Sequence, residues 1–402
     1  MTRRVPDSCP GVLRLHDAAD GPLARIRVPG GRVTPEQLQV LAEAARELGD
    51  GNIELTSRGN VQLRQVRDAG ALTDRLDAAG LLPSHSHERV RNIVASPLSG
   101  RIGGSADVHT LVPALDAGLL AAPRLAELPG RVLFTLDDGR GDVSGLSGDI
   151  GVHATGAAEF ALLLAGRDTG IRISAADAVN VMLAAAHGFL DLRGDDASQW
   201  RLHDIEGGAE RVAEMLARTR GADRVEIVAA QDIPIGWLDQ DNGLVSLGAG
   251  VRLGSLPART AEFIAAIERP VFITPWRSLV ITDMDEWTAE QVVRVLAPMD
   301  LIFDANSPWL QVSACAGRPG CAKSLTDVRA DVTAAVESGR VLPAEPNPPT
   351  HQDIPILAAD KVTVAGRQHW SGCDRRCGRP RGTVTDVVAT NTGYRQSPTP
   401  TA

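Results

Sequence analysis

The sequence predicts an α+β protein made by internal duplication, with two half-domains of matching element order, each followed by a larger lobe. Three observations carry this. A strand–helix–strand–strand–helix order occupies residues 23–79, the same order returns about 220 residues later, and four of five cysteines form two short pairs near the C-terminus.

In the first copy, Leu23 to Val28 alternates like a strand with one wet face, and Pro29-Gly30-Gly31 ends it. Thr34-Pro35-Glu36-Gln37 opens a helix, because Thr34 can cap, Pro35 suits the first helical position and Gln37 completes a capping box. Leu38, Leu41, Ala42, Ala45 and Leu48 form its apolar stripe, and Gly49 stops it. Ile53 to Thr56 returns as a strand, Ser57-Arg58-Gly59-Asn60 turns, and Val61 to Leu63 and a helix from Ala71 to Ala79 follow. In the second copy, Arg259 to Ile267 is helical, Val271 to Thr274 is a strand, and Pro275-Trp276-Arg277-Ser278 is the turn. Leu279 to Ile281 and a helix opened by Thr288 complete it. Both turns carry an arginine, Arg58 and Arg277.

The expected boundaries are 1–83 for the first half-domain, 84–230 for its lobe, 231–303 for the second half-domain and 304–393 for the cysteine-bearing lobe. Residues 394–402 are expected to be a disordered tail. A strand over Arg131 to Leu136 and a helix from Ala175 to Leu192 mark the first lobe. A helix from Lys323 to Ser338 marks the second, and the Pro-rich stretch 344–355 reads as a surface connection.

Cys315-x5-Cys321 and Cys373-x3-Cys377 supply four thiolates as two tight pairs, as a [4Fe-4S] cluster requires. Small residues and turn formers around them let backbone N–H groups approach the sulfurs. Zinc is the rival, though its pairs are usually spaced by two to four residues. Structural disulfides are the bland alternative, against which stands the scarcity of cysteine elsewhere. Cys9 stands alone and reads as a plain thiol. At 402 residues, 43% hydrophobic and 23% charged, the composition is that of an ordinary globular protein. No signal peptide or membrane span is evident, so a cytoplasmic location is expected. A net charge of −9 and scarce aromatics exclude nonspecific nucleic-acid binding and a base-stacking platform.

With these residues in view, the chain resembles the sulfite and nitrite reductase superfamily over about residues 9 to 390. The resemblance rests on the two cysteine pairs, the duplicated half-domain, Leu55-Thr56-Ser57-Arg58-Gly59-Asn60 and Arg91-Asn92-Ile93. It implies ferredoxin-like half-domains, two larger α/β lobes and pseudo-twofold architecture. It also implies a cluster beside a tetrapyrrole whose carboxylates are gripped by guanidinium forks.

Within the superfamily the chain is most similar to the precorrin-3B synthase branch. Cys9-Pro10-Gly11-Val12-Leu13-Arg14, Thr274-Pro275-Trp276-Arg277 and Ser371 through Pro380 carry that likeness. The resemblance then implies an oxygen-dependent monooxygenase of aerobic cobalamin biosynthesis. Its substrate would be precorrin-3A, hydroxylated with γ-lactone formation to give precorrin-3B. It further implies a mononuclear non-haem iron, O2, and an external electron donor or NADH-linked reductase. The alternative is a sirohaem-dependent sulfite or nitrite reductase. Those reductases place paired lysines after a Leu-Pro. Here Leu128-Pro129-Gly130-Arg131-Val132-Leu133 keeps one basic residue and puts Leu133 at the second position, which suits a large substrate better than a small oxyanion.

By the same resemblance Arg58 and Arg91 are tetrapyrrole-binding arginines, Arg277 is the duplicate counterpart of Arg58, and Arg131 binds a carboxylate. Strand periodicity alone puts Asn60 and Arg64 toward the same cavity. His85 and His87 could share one side of an extended segment, and His369 lies four residues before Cys373. No two-His-one-carboxylate spacing is evident, and Asp137, Asp138 and Asp142 read as a solvated acidic loop.

Overall fold

The computed structural model describes residues 7, 9–221, 223–227, 233–343 and 356–397. The expected connection 344–355 lies outside them. The two half-domains form a five-stranded and a six-stranded sheet, and each sheet borrows a strand from the other copy. Arg32–Val33 of the first copy pairs antiparallel with Val271–Ile273 of the second, with Val33 opposite Val271. Reciprocally, Ser255–Pro257 of the second pairs with Asn52–Leu55 of the first, with Leu256 opposite Ile53. This exchange makes the duplication a single body. Leu41, Ile53 and Leu63 from one copy share one core with Ile264, Leu279 and Ile281 from the other, all about fully buried.

Local signals are satisfied where they were strong. Thr34 caps the helix Pro35–Leu48, and Gln37 closes the box by bonding back to the cap backbone. In the second copy Asp285, three residues upstream of the expected opening at Thr288, caps the helix Glu286–Leu296 through the Thr288 N–H. A carboxylate at that position offers the free amides an ionised acceptor, so it outcompetes Thr288. Likewise Asp327 caps the helix Val328–Glu337, and the residues from 323 to 326, expected to be helical, form an irregular, bent segment instead.

The lobes repeat each other as well. In the first, Ile93–Ala95, Phe134–Asp137 and Ile150–Ala154 run parallel, followed by two antiparallel strands. In the second, Val312–Ala314, Gln368–Ser371 and Thr385–Thr390 run parallel, followed by antiparallel Gly393–Ser397. That last strand corrects the tail: residues 394–397 are paired, with Tyr394 buried and its hydroxyl donating to Asp331 at 2.6 Å. Residues 398–402 lie outside the described set. No helix among the described residues is long and apolar enough to cross a membrane.

Candidate redox and tetrapyrrole site

The cysteine pairs lie on two loops that leave neighbouring parallel strands. Pairing of Ala314 with Trp370 puts Cys315 at the end of one strand, its N–H donating to the Trp370 carbonyl at 3.0 Å. Gly372 then donates its N–H to the Cys315 sulfur at 3.3 Å, a bond of the kind that steadies a cluster ligand. A Cβ on Gly372 would run into Ser324, so only glycine lets the backbone come this close. All four thiols are free. Burial pushes the Cys377 thiol up, and Cys315, Cys373 and Cys321 reinforce this against the pull of Arg375, so the four sulfurs share one neighbourhood. Four free thiols on two glycine-bearing loops, with an amide already aimed at sulfur, fit a [4Fe-4S] cluster.

Beside these loops opens a cavity of about 440 Å³. Its walls come from both half-domain turns (Arg58, Trp276, Arg277), the start of the second-lobe sheet (Gln311 to Ser313, Arg367), the loop after Cys377 (Gly378 to Val384) and the first lobe (Leu133, Asp142, Leu146, Arg201). Among the described residues, six arginines line it against one carboxyl group, within a chain whose net charge is −9. The guanidinium groups of Arg58, Arg367 and Arg381 have no hydrogen-bond or ion-pair partner among the described residues. Burial, seconded by Arg201, pushes the Arg58 guanidinium down to about 10, and burial lowers Arg277, Arg367 and Arg381 as well. Unpaired guanidiniums half-removed from water are costly unless an anion joins them.

The two turns superpose with an offset of one residue from the expected pairing. Thr56 and Thr274 make the same bonds, each oxygen accepting from the amides two and four residues on. The counterpart of Arg58 is therefore Trp276, and Arg277 stands where the first copy has Gly59. Both occupy left-handed backbone, with φ of 64° at Gly59 and 59° at Arg277. An arginine held there is strained by about 1 kcal/mol or more, a cost usually tolerated where the side chain has work to do.

Of the other predicted residues, Asn60 is buried and bridges Val28 N–H to Asn92, a structural role away from the cavity. Arg64 forks onto Asp20 at 2.9 and 2.6 Å and donates to the Gly320 carbonyl at 3.0 Å, so it anchors the loop of Cys321 and does not reach substrate space. Arg91 forks onto Asp116 at 2.7 and 2.6 Å and borders a second, smaller hollow with Arg27 and His109. Arg131 bonds Asp7 at 3.3 Å and lies over the Trp200 ring at 4.7 Å, off the cavity wall, whereas Leu133 is on it. Arg58 and Arg277 are thus the two of the six that the cavity gathers.

Residues 16–79 match the family described as Nitrite/Sulfite reductase ferredoxin-like half domain. The chain is 25% identical to ferredoxin–nitrite reductase of Synechococcus elongatus, over 91% of this chain and 75% of that one. It is 23% identical to precorrin-3B synthase of a Sinorhizobium species, over 96% and 81%. The structure of Mycobacterium tuberculosis NirA protein superposes with a TM-score of 0.71 at 18% identity, covering 94% of this chain and 73% of that one. This chain has the sulfite/nitrite reductase fold.

In that fold the relatives are oxidoreductases, and the cavity lies beside the cysteine loops. Sequence reasoning missed Arg201, Arg367, Arg379, Arg381 and Asp142 on its wall. Arg379 and Arg381 carried a signal, since they follow Cys377 directly, but Arg201 and Arg367 sit in unremarkable sequence. The acidic loop is not solvated: Asp137 and Asp138 are fully buried and Asp142 nearly so. Their carboxylate oxygens lie within 4.8 Å of one another. They do not fit a mononuclear iron, because Asp137 already accepts four backbone N–H bonds and Arg140 forks onto Asp138. His87 is buried and bonded to Ser84, Ser86 and the Ala122 carbonyl, and His85 is exposed, so the pair does not converge. His369 is buried, bonded to Ser313 at 2.9 Å, and burial with nearby Arg277 pushes it down to about 3, leaving a neutral ring.

Proposed function

We propose that this chain is an iron–sulfur oxidoreductase acting on a polycarboxylate tetrapyrrole, and more finely an oxygen-dependent hydroxylase of precorrin-3A that forms the γ-lactone of precorrin-3B. The observation carrying the reading is the arginine-lined cavity against the four-cysteine loops. Peripheral acetates and propionates would take the place of the missing anions, each guanidinium closing a charge-assisted fork. Cys315, Cys321, Cys373 and Cys377 would hold a [4Fe-4S] cluster that supplies electrons singly. Leu133 on the wall, in place of a second basic side chain, favours a macrocyclic substrate over a naked oxyanion. The overall change is balanced by O2, two electrons and two protons, giving one hydroxyl on the macrocycle and one water. An external one-electron donor supplies the electrons.

The nitrite reductase likeness, at 25% identity against 23%, supports a second reading, a sirohaem enzyme in which the same arginines hold the cofactor's carboxylates. The experiment that separates them is anaerobic purification, a visible spectrum, then incubation with precorrin-3A, 18O2 and reductant. The hydroxylase reading expects no Soret band and one labelled oxygen in the product by mass. A co-purifying sirohaem with reduction of nitrite or sulfite would overturn it.

A further inference from the structure

One ionisable group on the cavity wall is left over once the arginines are assigned to anions, and that is Asp142. Its place follows from the duplication. Ser96 ends the first strand of the first lobe as Cys315 does in the second, with its N–H on Leu136 as Cys315 N–H is on Trp370. The Ser96 hydroxyl accepts from Asp138 N–H at 3.2 Å, where the Cys315 sulfur accepts from Gly372. The loop that follows carries Asp142 six residues beyond Leu136, and its counterpart carries Cys377 seven beyond Trp370. The acidic loop therefore stands where the other lobe keeps its cysteines.

The three carboxyl groups of this loop are not equivalent. Asp137 is saturated by the amides of Gly139, Gly141, Val143 and Ser144, with the His153 ring at 3.4 Å. Asp138 takes the Arg140 fork at 2.8 and 2.7 Å. Asp142 receives only the Ser96 hydroxyl, at 2.5 Å on Oδ1. Among the described residues its Oδ2 has no hydrogen bond, the nearest cation being Arg140 at 3.9 Å, although the residue is only 8% exposed and lines the cavity with Arg201 and Leu133. Three carboxyl groups this close, with one guanidinium among them, cannot all ionise cheaply.

We propose that Asp142 is the proton donor of the cavity, giving its carboxyl proton to an oxygen atom of the bound oxidant. This rests on the functional reading above. The Asp142 O–H bond breaks, a new O–H bond forms on the acceptor oxygen, and the electron pair stays on the carboxylate, steadied by Ser96 Oγ–H. Solvent at the cavity mouth restores the proton. Electrons come from the external donor, and the oxidant is O2, or the oxyanion under the second reading. Burial, then the charge of Asp137, pushes the Asp142 carboxyl up to about 7, so the acid form is populated in neutral solution.

The test compares wild type with Asp142→Asn, in turnover from about pH 5 to 9 and in tetrapyrrole affinity by absorbance titration. The wild type should lose kcat as pH rises through about 7. Asp142→Asn should bind the macrocycle within about twofold, keep its cluster absorbance, lose on the order of 100-fold in kcat and show no such limb. Ser96→Ala keeps the carboxyl but removes a bond that favours its ionised form, so the limb should move to higher pH, with a loss in kcat well short of that in Asp142→Asn. Intact binding with equal kcat and an unchanged pH profile in Asp142→Asn would overturn the proposal alone. Wild-type protein with no tetrapyrrole affinity would overturn the functional reading and this proposal with it.

Discussion

The two lobes share a strand order and place a long loop at the same point of it, yet they fill that loop with different chemistry. In the second lobe the loop has small residues and free thiols, and the amide of Gly372 points at sulfur. In the first it is closed on itself, with backbone amides on Asp137 and Arg140 on Asp138. The same backbone thus provides an open socket in one copy and a self-satisfied polar knot in the other. The two loops share a position in the fold, and side chains decide which one is left with free thiols.

The comparison breaks most visibly at the cysteines. Cys315→Ser or Cys377→Ser should abolish cluster absorbance near 400 nm and bring iron and acid-labile sulfide to background, while Ser96→Cys leaves iron content unchanged. Next in size is the anchor shared by the second-lobe loop and the half-domain. Arg64→Ala strands the Asp20 carboxylate, leaves Glu54 to Arg329 and frees Gly320, so stability should fall by about 3 kcal/mol and the cluster should bleach faster in air. Chemical denaturation and a timed absorbance decay check both.

The first-lobe loop gives a pH signature of comparable size. Asp142 is raised from an ordinary 3.8 to about 7, so its contribution to stability is complete in acid and is lost as pH climbs through about 7. Asp142→Asn should therefore stabilise the protein by ~4 kcal/mol at pH 8 and hardly at all at pH 4. Asp137 behaves in the opposite sense: lowered from 3.8 to about 2, with His153 and the loop amides outweighing burial, it stabilises above pH 4 and loses this as pH falls toward 2. Melting temperature against pH for wild type and Asp142→Asn reads both. The smallest effect belongs to Arg277→Gly, which trades strain for chain entropy and should change stability by under about 1 kcal/mol while weakening macrocycle binding several-fold.

Much of this was legible in the chain. The capping box at Thr34, the repeat of element order and the cysteine pairs are local signals, and local signals survive into the fold. The parts that were not legible depend on long-range pairing. Nothing in residues 32–33 or 255–257 says that each will join the other copy's sheet. Arg91 and Arg64 read as substrate ligands until Asp116 and Asp20 arrive from distant segments to claim them. The offset between Arg58 and Arg277 was hidden because both turns contain an arginine, and only the threonine hydrogen bonds set the register. The acidic loop read as solvated because burial of three carboxylates depends on Arg140 and Ser96 closing over it.

The proposed function requires the cavity beside the cysteines to be a tetrapyrrole site built from arginine. The most direct measurement is absorbance titration of a polycarboxylate tetrapyrrole into cluster-loaded wild type, Arg58→Ala and Arg91→Ala under anaerobic conditions. Tight binding to wild type, roughly tenfold or weaker binding to Arg58→Ala, and wild-type affinity in Arg91→Ala are expected, with cluster absorbance equal in all three. Equal affinity in wild type and Arg58→Ala, or a loss confined to Arg91→Ala, would contradict it.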